Sequence, residues 1–254
     1  MQKKPIIIIS VLCVISLVLG YLSGLKEEES LSNGDVETDS KKEPEFLKEG
    51  LVAYYPFNGN AKDESGNGND GLVKGALLVE DRNGKPLKAY SFNGQDSFID
   101  LPASKQINYI HHISVSFWIN ASEKQPTGQQ WSGLITRTDH RHRFSFTTGL
   151  YPNLVLGSRV SPQHNVDNKA VIASAKWMHI VFTHDGSGCA LFIDGKQKSK
   201  ITNRPISLVS SDLPVTIGAE GNGNGLIRFF LGCLDDIRIY NRALSAEEVK
   251  TLYE

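Results

Sequence analysis

The apolar residues of this chain come in short alternating runs that turn-forming residues interrupt, and that pattern leaves little choice of fold class. Ile113 to Ile119 reads ISVSFWI, with Ile113, Val115, Phe117 and Ile119 on one face and Ser114, Ser116 and Trp118 on the other, the period of two that marks a half-buried strand. Trp177 to His184, WMHIVFTH, turns through Asp185-Gly186-Ser187-Gly188 into Cys189 to Asp194, CALFID, which ends at Asp194-Gly195; this is a hairpin signature. Tyr90 to Leu101, YSFNGQDSFIDL, reads as two short strands joined in a hairpin at Asn93-Gly94,. Further extended runs are Leu51 to Phe57, Leu72 to Val79, Leu134 to Arg137, Phe144 to Thr148, Leu154 to Arg159, Val215 to Gly218 and Ile227 to Leu231. Asn58 to Gly71, NGNAKDESGNGNDG, is a string of turn formers,. About a dozen short strands spaced by Gly, Asn and Asp predict an all-β sandwich or barrel. No stretch alternates strands with long amphipathic helices, which argues against a parallel sheet.

The C-terminal stretch Phe230 to Tyr253 pairs one more strand with a capped helix. On strict alternation Asp235, Ile237 and Ile239 share one face, and Leu234, Asp236, Arg238 and Tyr240 the other,. Ser245 precedes Glu248 by three residues, the spacing of a capping box, with Leu252 and Tyr253 supplying an apolar stripe,.

Charge and cysteine content narrow the function classes. The 27 Lys and Arg nearly cancel the 28 Asp and Glu, so no overall field favours nucleic acid or an anionic membrane surface. Lys3 and Lys4 precede an uncharged run from Pro5 to Gly24, and acidic residues follow; this is a targeting segment with the remainder exported. Two readings of residues 1–25 stand open. Val18 and Gly20 before Tyr21 suit a signal-peptidase site, while the run to Leu25 reaches the roughly 20 residues that span a bilayer, as a membrane anchor would. Cys13, preceded by Ser10-Val11-Leu12 in mid-core, makes a poor lipobox. Residues 26–49 are charged and poor in large apolar side chains, as expected of a flexible tether. Residues 50–254 are long enough for one large all-β domain.

LVAYYPFNGNAKDESGNGNDG, YSFNGQDSFIDL, ISVSFWI, WMHIVFTHDGSGCALFIDG and LGCLDDIRIYNRALSAEEV occur in that order, and together they resemble a laminin G-like jelly-roll domain of the concanavalin A-like lectin/glucanase group. The resemblance covers nearly everything from Leu51 to Glu254. It implies two antiparallel sheets packed face to face, and a role in binding carbohydrate or protein on secreted and surface proteins; some branches are enzymes. Fold alone does not choose among these roles.

Candidate sites follow. The resemblance implies a structural calcium, for which Asp63 and Asp70 in the first loop, Asp96 after the Asn-Gly turn, and Asp235 with Asp236 offer carboxylates. Calcium takes six to eight oxygens. Adjacent strand residues face opposite ways, so Asp235 and Asp236 can share a site only across a bulge; the alternative is that these aspartates cap turns or meet Arg238 and Arg242. His140 and His142 share a face if extended, but Arg137, Arg141 and Arg143 surround them and disfavour zinc. His179 reads as a structural hydrogen-bonding residue. For a sugar, an aromatic face plus a few polar groups is the expected platform, and Trp131, His140, Arg141, Tyr151, Arg159 and Asn222 have that chemistry outside strong strand patterns; solvated loop decoration is the rival reading of each. Trp118 and Trp177 read as core or inter-sheet packing. Glucanases of this fold place two carboxyl groups on a Glu-x-Asp-x-x-Glu strand, and no such stretch occurs in this sequence; Gly-x-Ser-x-Gly is absent as well,. A non-catalytic module is therefore expected, its partner a glycan or a cell-surface protein, with membrane contact only through the N-terminal segment. A structural or adhesive protein that binds no sugar is the alternative. Export permits a Cys189–Cys233 disulfide, provided the Cα atoms lie within about 7 Å; strands separated by another strand leave both as lone thiols.

Overall fold

The computed structural model describes residues 44–108, 112–124, 131–138, 143–151, 153–159, 170–202, 214–221 and 225–254. Two antiparallel sheets carry the fold. The first joins β1 (Leu51–Tyr55), β3 (Leu77–Val79), β4 (Ala89–Asn93), β6 (Ile113–Ala121), β11 (Met178–His184), β12 (Cys189–Ile193), β13 (Lys196–Ile201) and β17 (Leu231–Tyr240), in the order β13-β12-β11-β6-β17-β4-β3, with β1 also on β17. The second joins β2 (Leu72–Lys74), β5 (Phe98–Leu101), β7 (Trp131–Thr138), β8 (Arg143–Tyr151), β9 (Asn153–Arg159), β10 (Ala170–Val171) and β14 (Val215–Ile217), in the order β10-β9-β8-β7-β14-β5-β2. A small ribbon pairs β15 (Glu220–Gly221) with β16 (Leu226–Ile227). Two helices complete the described chain, α1 (Lys105–Asn108) and α2 (Ala246–Tyr253). No helix among the described residues is long and apolar enough to cross a membrane.

The alternation read in the sequence faces Phe117, Ile119, Ile180 and Phe182 of the first sheet toward Ile99, Leu101, Leu134 and Ile217 of the second, all in one buried cluster. Each such side chain contributes about 1.5–3 kcal/mol on burial. The intervening residues face outward, where α2 covers part of the first sheet. Val181, Phe192 and Tyr240 meet Leu244 and Val249 there in a second small cluster. The capping box forms as spaced: Ser245 N donates to Glu248 Oε2 at 2.7 Å and Glu248 N to Ser245 Oγ at 3.2 Å. Arg242 then holds Glu248 through both terminal nitrogens, at 3.0 and 2.6 Å, and also donates to the carbonyls of Phe46 and Glu49. That second pair of bonds folds residues assigned to the tether: Glu45–Leu47 is a 3-10 turn with Leu47 buried, so the ordered unit begins ahead of residue 50. Residues 1–43, with the leader or anchor and most of the tether, lie outside the described residues.

Three local readings give way to pairing. Asn93-Gly94 does not close a hairpin: β4 pairs with β3 and β17, whereas β5 pairs with β2 and β14 in the other sheet. The turn instead carries the chain between layers, with Asn93 Oδ1 accepting from Gln95, Asp96 and Ser97 nitrogens. Leu72 to Val79 likewise breaks at Gly75 (φ 66°) into β2 and β3, one strand for each sheet. The expected Cys189–Cys233 disulfide does not form. Cys189 is on β12 and Cys233 on β17, with β11 and β6 between them, which at about 4.8 Å per strand separates them by roughly 14 Å, twice the bridging limit.

Two outcomes test these assignments. Ser245→Ala removes one side of the capping box, which costs about 1 kcal/mol and lowers Tm by roughly 2–4 °C for a unit of this size, measured by calorimetry. Alkylation in denaturant without reductant labels both Cys189 and Cys233 by mass spectrometry, and reductant leaves Tm unchanged.

Candidate binding cleft

The strand β17 carries one residue too many for the partner beside it. Leu234 pairs with Ile119 and Asp235 with Trp118, but Arg238 pairs with Ser116, so Asp236 and Ile237 together oppose Phe117. Asp236 takes up the extra length at φ 47°, a left-handed conformation that Asp tolerates better than most residues. The bulge overrides strict alternation: Leu234, Ile237 and Ile239 all enter the core, and Asp235 turns to the outer face with Trp118. On its other flank β17 pairs with β4 up to Leu234 and with β1 from Ile237. The two acidic residues therefore sit where the strand changes partner.

Arg82 fills that junction. It stands in the turn between β3 and β4, which Asp81 shapes by accepting from the nitrogens of Asn83 and Lys85 at 2.8 and 2.9 Å. Its guanidinium lies 2.9 Å from Asp235 Oδ2 and 2.7 Å from Asp236 Oδ2. The same group lies over the Trp118 ring, 4.4 Å from its centroid, in cation–π contact. Tyr54 of β1 donates its hydroxyl to Asp236 Oδ1 at 3.1 Å, and Arg238 lies 4.0 Å over the Tyr54 ring. Around these groups opens a cleft of about 210 Å³, with Asn58, Asn83, Lys85 and Lys88 at its rim. Burial pushes the Asp235 carboxyl up to about 7, Asp236 adds to the rise, and Arg82 opposes it.

Trp118 joins this site rather than the core, because its strand neighbours Phe117 and Ile119 point inward. Its ring packs against His179 at 5.1 Å and Tyr253 of α2 at 5.8 Å. His179 lies 2.8 Å from Ser116 Oγ through Nε2, and its backbone nitrogen donates to Asp194 Oδ1. Burial, then the cations Arg238 and Arg82, push His179 down to about 3, so it is neutral and structural, as read from the sequence. Trp177 precedes β11 and is half-buried.

The other candidates scatter. Asp63 accepts from the nitrogens of Tyr54, Ser65 and Asn69, all at 2.9 Å; burial opposes its ionisation, but these bonds outweigh it and hold the carboxyl below its usual range. Asp70 accepts from Asp63 N, and Asp96 from Asn93 Nδ2. Asp63, Asp96 and Asp235 are thus engaged separately, and among the described residues no group of three or more His, Cys, Asp or Glu is placed to hold a metal. Asp63, Asp96 and Asp235 therefore do not converge as ligands of one ion. Trp131 opens β7 and is half-buried, Tyr151 closes β8 and Arg159 closes β9, so these are strand ends and not loop residues. Trp131 pairs with Gly149 and Arg159 with Ser145, which puts Trp131 and Tyr151 toward one end of their sheet. Arg159 lies toward the other, six residues or about 20 Å along β8 from Tyr151. His140, Arg141, His142 and Asn222 lie outside the described residues. Arg82, Tyr54 and Asn58 were not anticipated; the Asp81-Arg82-Asn83-Gly84 run holds turn formers that could have marked a turn,, but nothing local ties it to Asp235.

The family described as the concanavalin A-like lectin/glucanases superfamily matches residues 93–250. Paraclostridial mosquitocidal protein 1 of Paraclostridium bifermentans is 24% identical over 217 residues, which is 76% of this chain and 16% of that protein. The chain thus spans a small part of that relative, and it superposes on the binding domain of the same protein with a TM-score of 0.66, covering 82% of this chain and 52% of that one at 24% identity. Domain 4 of AbnA, an extracellular arabinanase from Geobacillus stearothermophilus solved in complex with arabinotriose, superposes with a TM-score of 0.65 at 25% identity, covering 80% of this chain and 98% of that one. The binding domain of botulinum neurotoxin DC, solved with rat synaptotagmin II, superposes with a TM-score of 0.60 at 14% identity, over 80% of this chain and 51% of that one. Two stacked antiparallel sheets, the order of the motifs and this family match lead to one conclusion: the chain belongs to the concanavalin A-like lectin/glucanase superfamily.

Proposed function

We propose that this chain is an exported, non-catalytic binding module that takes one residue of an oligosaccharide in the cleft beneath Arg82. The observation that carries the reading is the lining of the cleft. Carboxylates from Asp235 and Asp236, amides from Asn58 and Asn83, and ammonium groups from Lys85 and Lys88 converge on about 210 Å³. Paired acceptors and donors at close spacing match the vicinal hydroxyls of a sugar, and the volume is below the ~300–1,000 Å³ of pockets for larger organic ligands. The arabinanase domain solved with arabinotriose supports a saccharide over other small polar ligands. Non-catalytic binding also accords with the carboxylate geometry. Glycoside hydrolysis places two carboxyls on either side of one bond, at least about 5 Å apart, whereas Asp235 and Asp236 meet a single nitrogen of Arg82 from one side.

A glycan array that includes arabino-oligosaccharides tests the reading. Binding is expected, and Asp236→Asn and Asn58→Ala each weaken it about tenfold, the worth of one lost charged or polar hydrogen bond. No glycan bound, together with a protein that co-purifies, overturns it in favour of an adhesive role without sugar binding.

The cleft also sets a pH test. Asp235 has an ordinary value of 3.8 when unfolded and about 7 when folded. Between those limits the folded state holds the proton that the unfolded state has released, so this group's contribution to stability falls as pH rises through the window and is constant outside it. Asp235→Asn removes that dependence. The variant is expected to gain Tm relative to the parent from pH 4 to 7.5, with no further gain at pH 8 and above, measured by scanning fluorimetry.

A further inference from the structure

His184 ends β11 on its inward side. It pairs with Ile113 on one flank and Cys189 on the other, and Cys189 pairs with Ile201, so the four side chains form one row on one face. Ile113 and Cys189 belong to the buried cluster between the sheets, and Ile201 packs against it. His184 is 0% exposed. An imidazole thus occupies an otherwise apolar row at the end of the core.

The hydrogen bond to the ring fixes where its proton sits. Gly186 N donates to His184 Nδ1 at 3.2 Å, so Nδ1 presents a lone pair and the neutral ring carries its proton on Nε2. A second proton has only Nδ1 to go to, and an Nδ1–H cannot accept from the Gly186 N–H. Charging the ring therefore removes a bond that shapes the turn between β11 and β12. The Nε2–H of the cation gains nothing in exchange, because Nε2 is buried without a hydrogen-bond partner, and a buried charge left so is strongly disfavoured. The turn itself closes through Asp185 N to Gly188 O at 3.1 Å, with Asp185 Oδ1 accepting from the nitrogens of Ser187 and Gly188 at 2.9 and 2.8 Å. Gly186 takes φ 87°, and a Cβ there would stand 2.9 Å from His112 Nε2, so only glycine fits.

Among the described residues, the titratable groups around His184 come from three directions. Asp185 follows it in the chain, His112 stands just ahead of β6, and Cys189 is its partner on β12. Burial pushes the His184 imidazole below its ordinary value of 6.5; Asp185 works against that shift and His112 adds to it.

We infer that His184 is an acid-sensitive latch on the β11–β12 hairpin: the neutral ring holds Gly186 and keeps the Asp185–Gly188 turn closed, and protonation releases Gly186 and opens the turn. The device is independent of what the cleft at Asp235 binds. With the turn open, the ring meets water and takes a proton at its ordinary value of 6.5; with the turn closed, it resists the proton. The latch therefore holds fully above that pH and loosens as pH falls below it.

The test follows two signals by NMR in the isotope-labelled full-length chain from pH 8 to pH 4: the ring nitrogens of His184 and the amide of Gly186. At pH 8 the ring is expected to carry its proton on Nε2. With intrinsic exchange rates divided out, hydrogen-exchange protection of Gly186 falls about tenfold per pH unit below 6.5, as uptake of one proton requires, while the amides of Val115 and Phe182 stay protected. Asp185→Asn keeps an oxygen to accept from Ser187 and Gly188 but removes the charge that favours the imidazolium, so ring protonation and loss of protection both move to lower pH. His184→Gln leaves the Gly186 protection independent of pH. A ring that carries its proton on Nδ1 at pH 8 overturns the latch, as does a ring that titrates while Gly186 keeps its protection. A ring that stays neutral until Val115 and Phe182 lose protection too overturns it equally.

Discussion

One extra residue in β17 reconciles two demands that strict alternation cannot meet together. Leu234 packs inward opposite Ile119, and Ile237 and Ile239 pack inward beside β1. Residues an odd number apart point to opposite faces of a regular strand, so either Leu234 or the isoleucine pair would be lost to solvent. Burying one such side chain is worth about 1.5–3 kcal/mol, and a left-handed residue costs about 1–2 kcal/mol. Choosing Asp at the left-handed position reduces that cost, and the Asp235 carboxylate accepts its nitrogen at 2.8 Å. Packing outweighs strain, and the bulge follows.

The bulge then generates the cleft. With Asp235 and Asp236 turned to one side of the sheet, two carboxylates share a partly dry junction, and an unpaired charge there would be strongly destabilising. Arg82 meets both, and because its flat guanidinium also covers Trp118, the ion pair is joined to the aromatic stack of Trp118, His179 and Tyr253. Arg242 plays the matching role at the other end of α2, fastening the helix start to the carbonyls of Phe46 and Glu49. The helix is thus tied at both ends over the first sheet. It covers the apolar middle of the outer face, where Val181, Phe192 and Tyr240 meet Leu244 and Val249.

Much of this architecture was legible. Ile113–Ile119 and the WMHIVFTH–CALFID hairpin could be placed because alternation and turn residues act between neighbours. Asp185 Oδ1 accepts from the nitrogens of Ser187 and Gly188 in that hairpin's turn. Asp194 and Gly195, which join β12 to β13, both take positive φ, at 50° and 69°, as a tight two-residue hairpin turn requires. The capping box was legible for the same reason, since donor and acceptor are three residues apart. The Asn93-Gly94 hairpin was misread because an Asn-Gly turn reverses the chain without stating which sheet receives it. The cysteine pairing failed similarly: thiol count permits a bridge, and strand order forbids it.

The list of residues with the right chemistry was also partly legible, in that Asp235 and Asp236 drew notice and their need for a bulge was clear. Their partner was not. Arg82 is 153 residues from Asp235, and Tyr54 is 182 from Asp236, and no periodicity reaches so far. Alternation, turn residues and helix caps are properties of adjacent positions, so the chain alone prescribes two-faced strands, their turns and a capped final helix. Which strands lie side by side, at what register, and hence which charges meet at the Arg82 junction follow from burying all the inward faces at once, a condition that exists only when the two sheets close on each other.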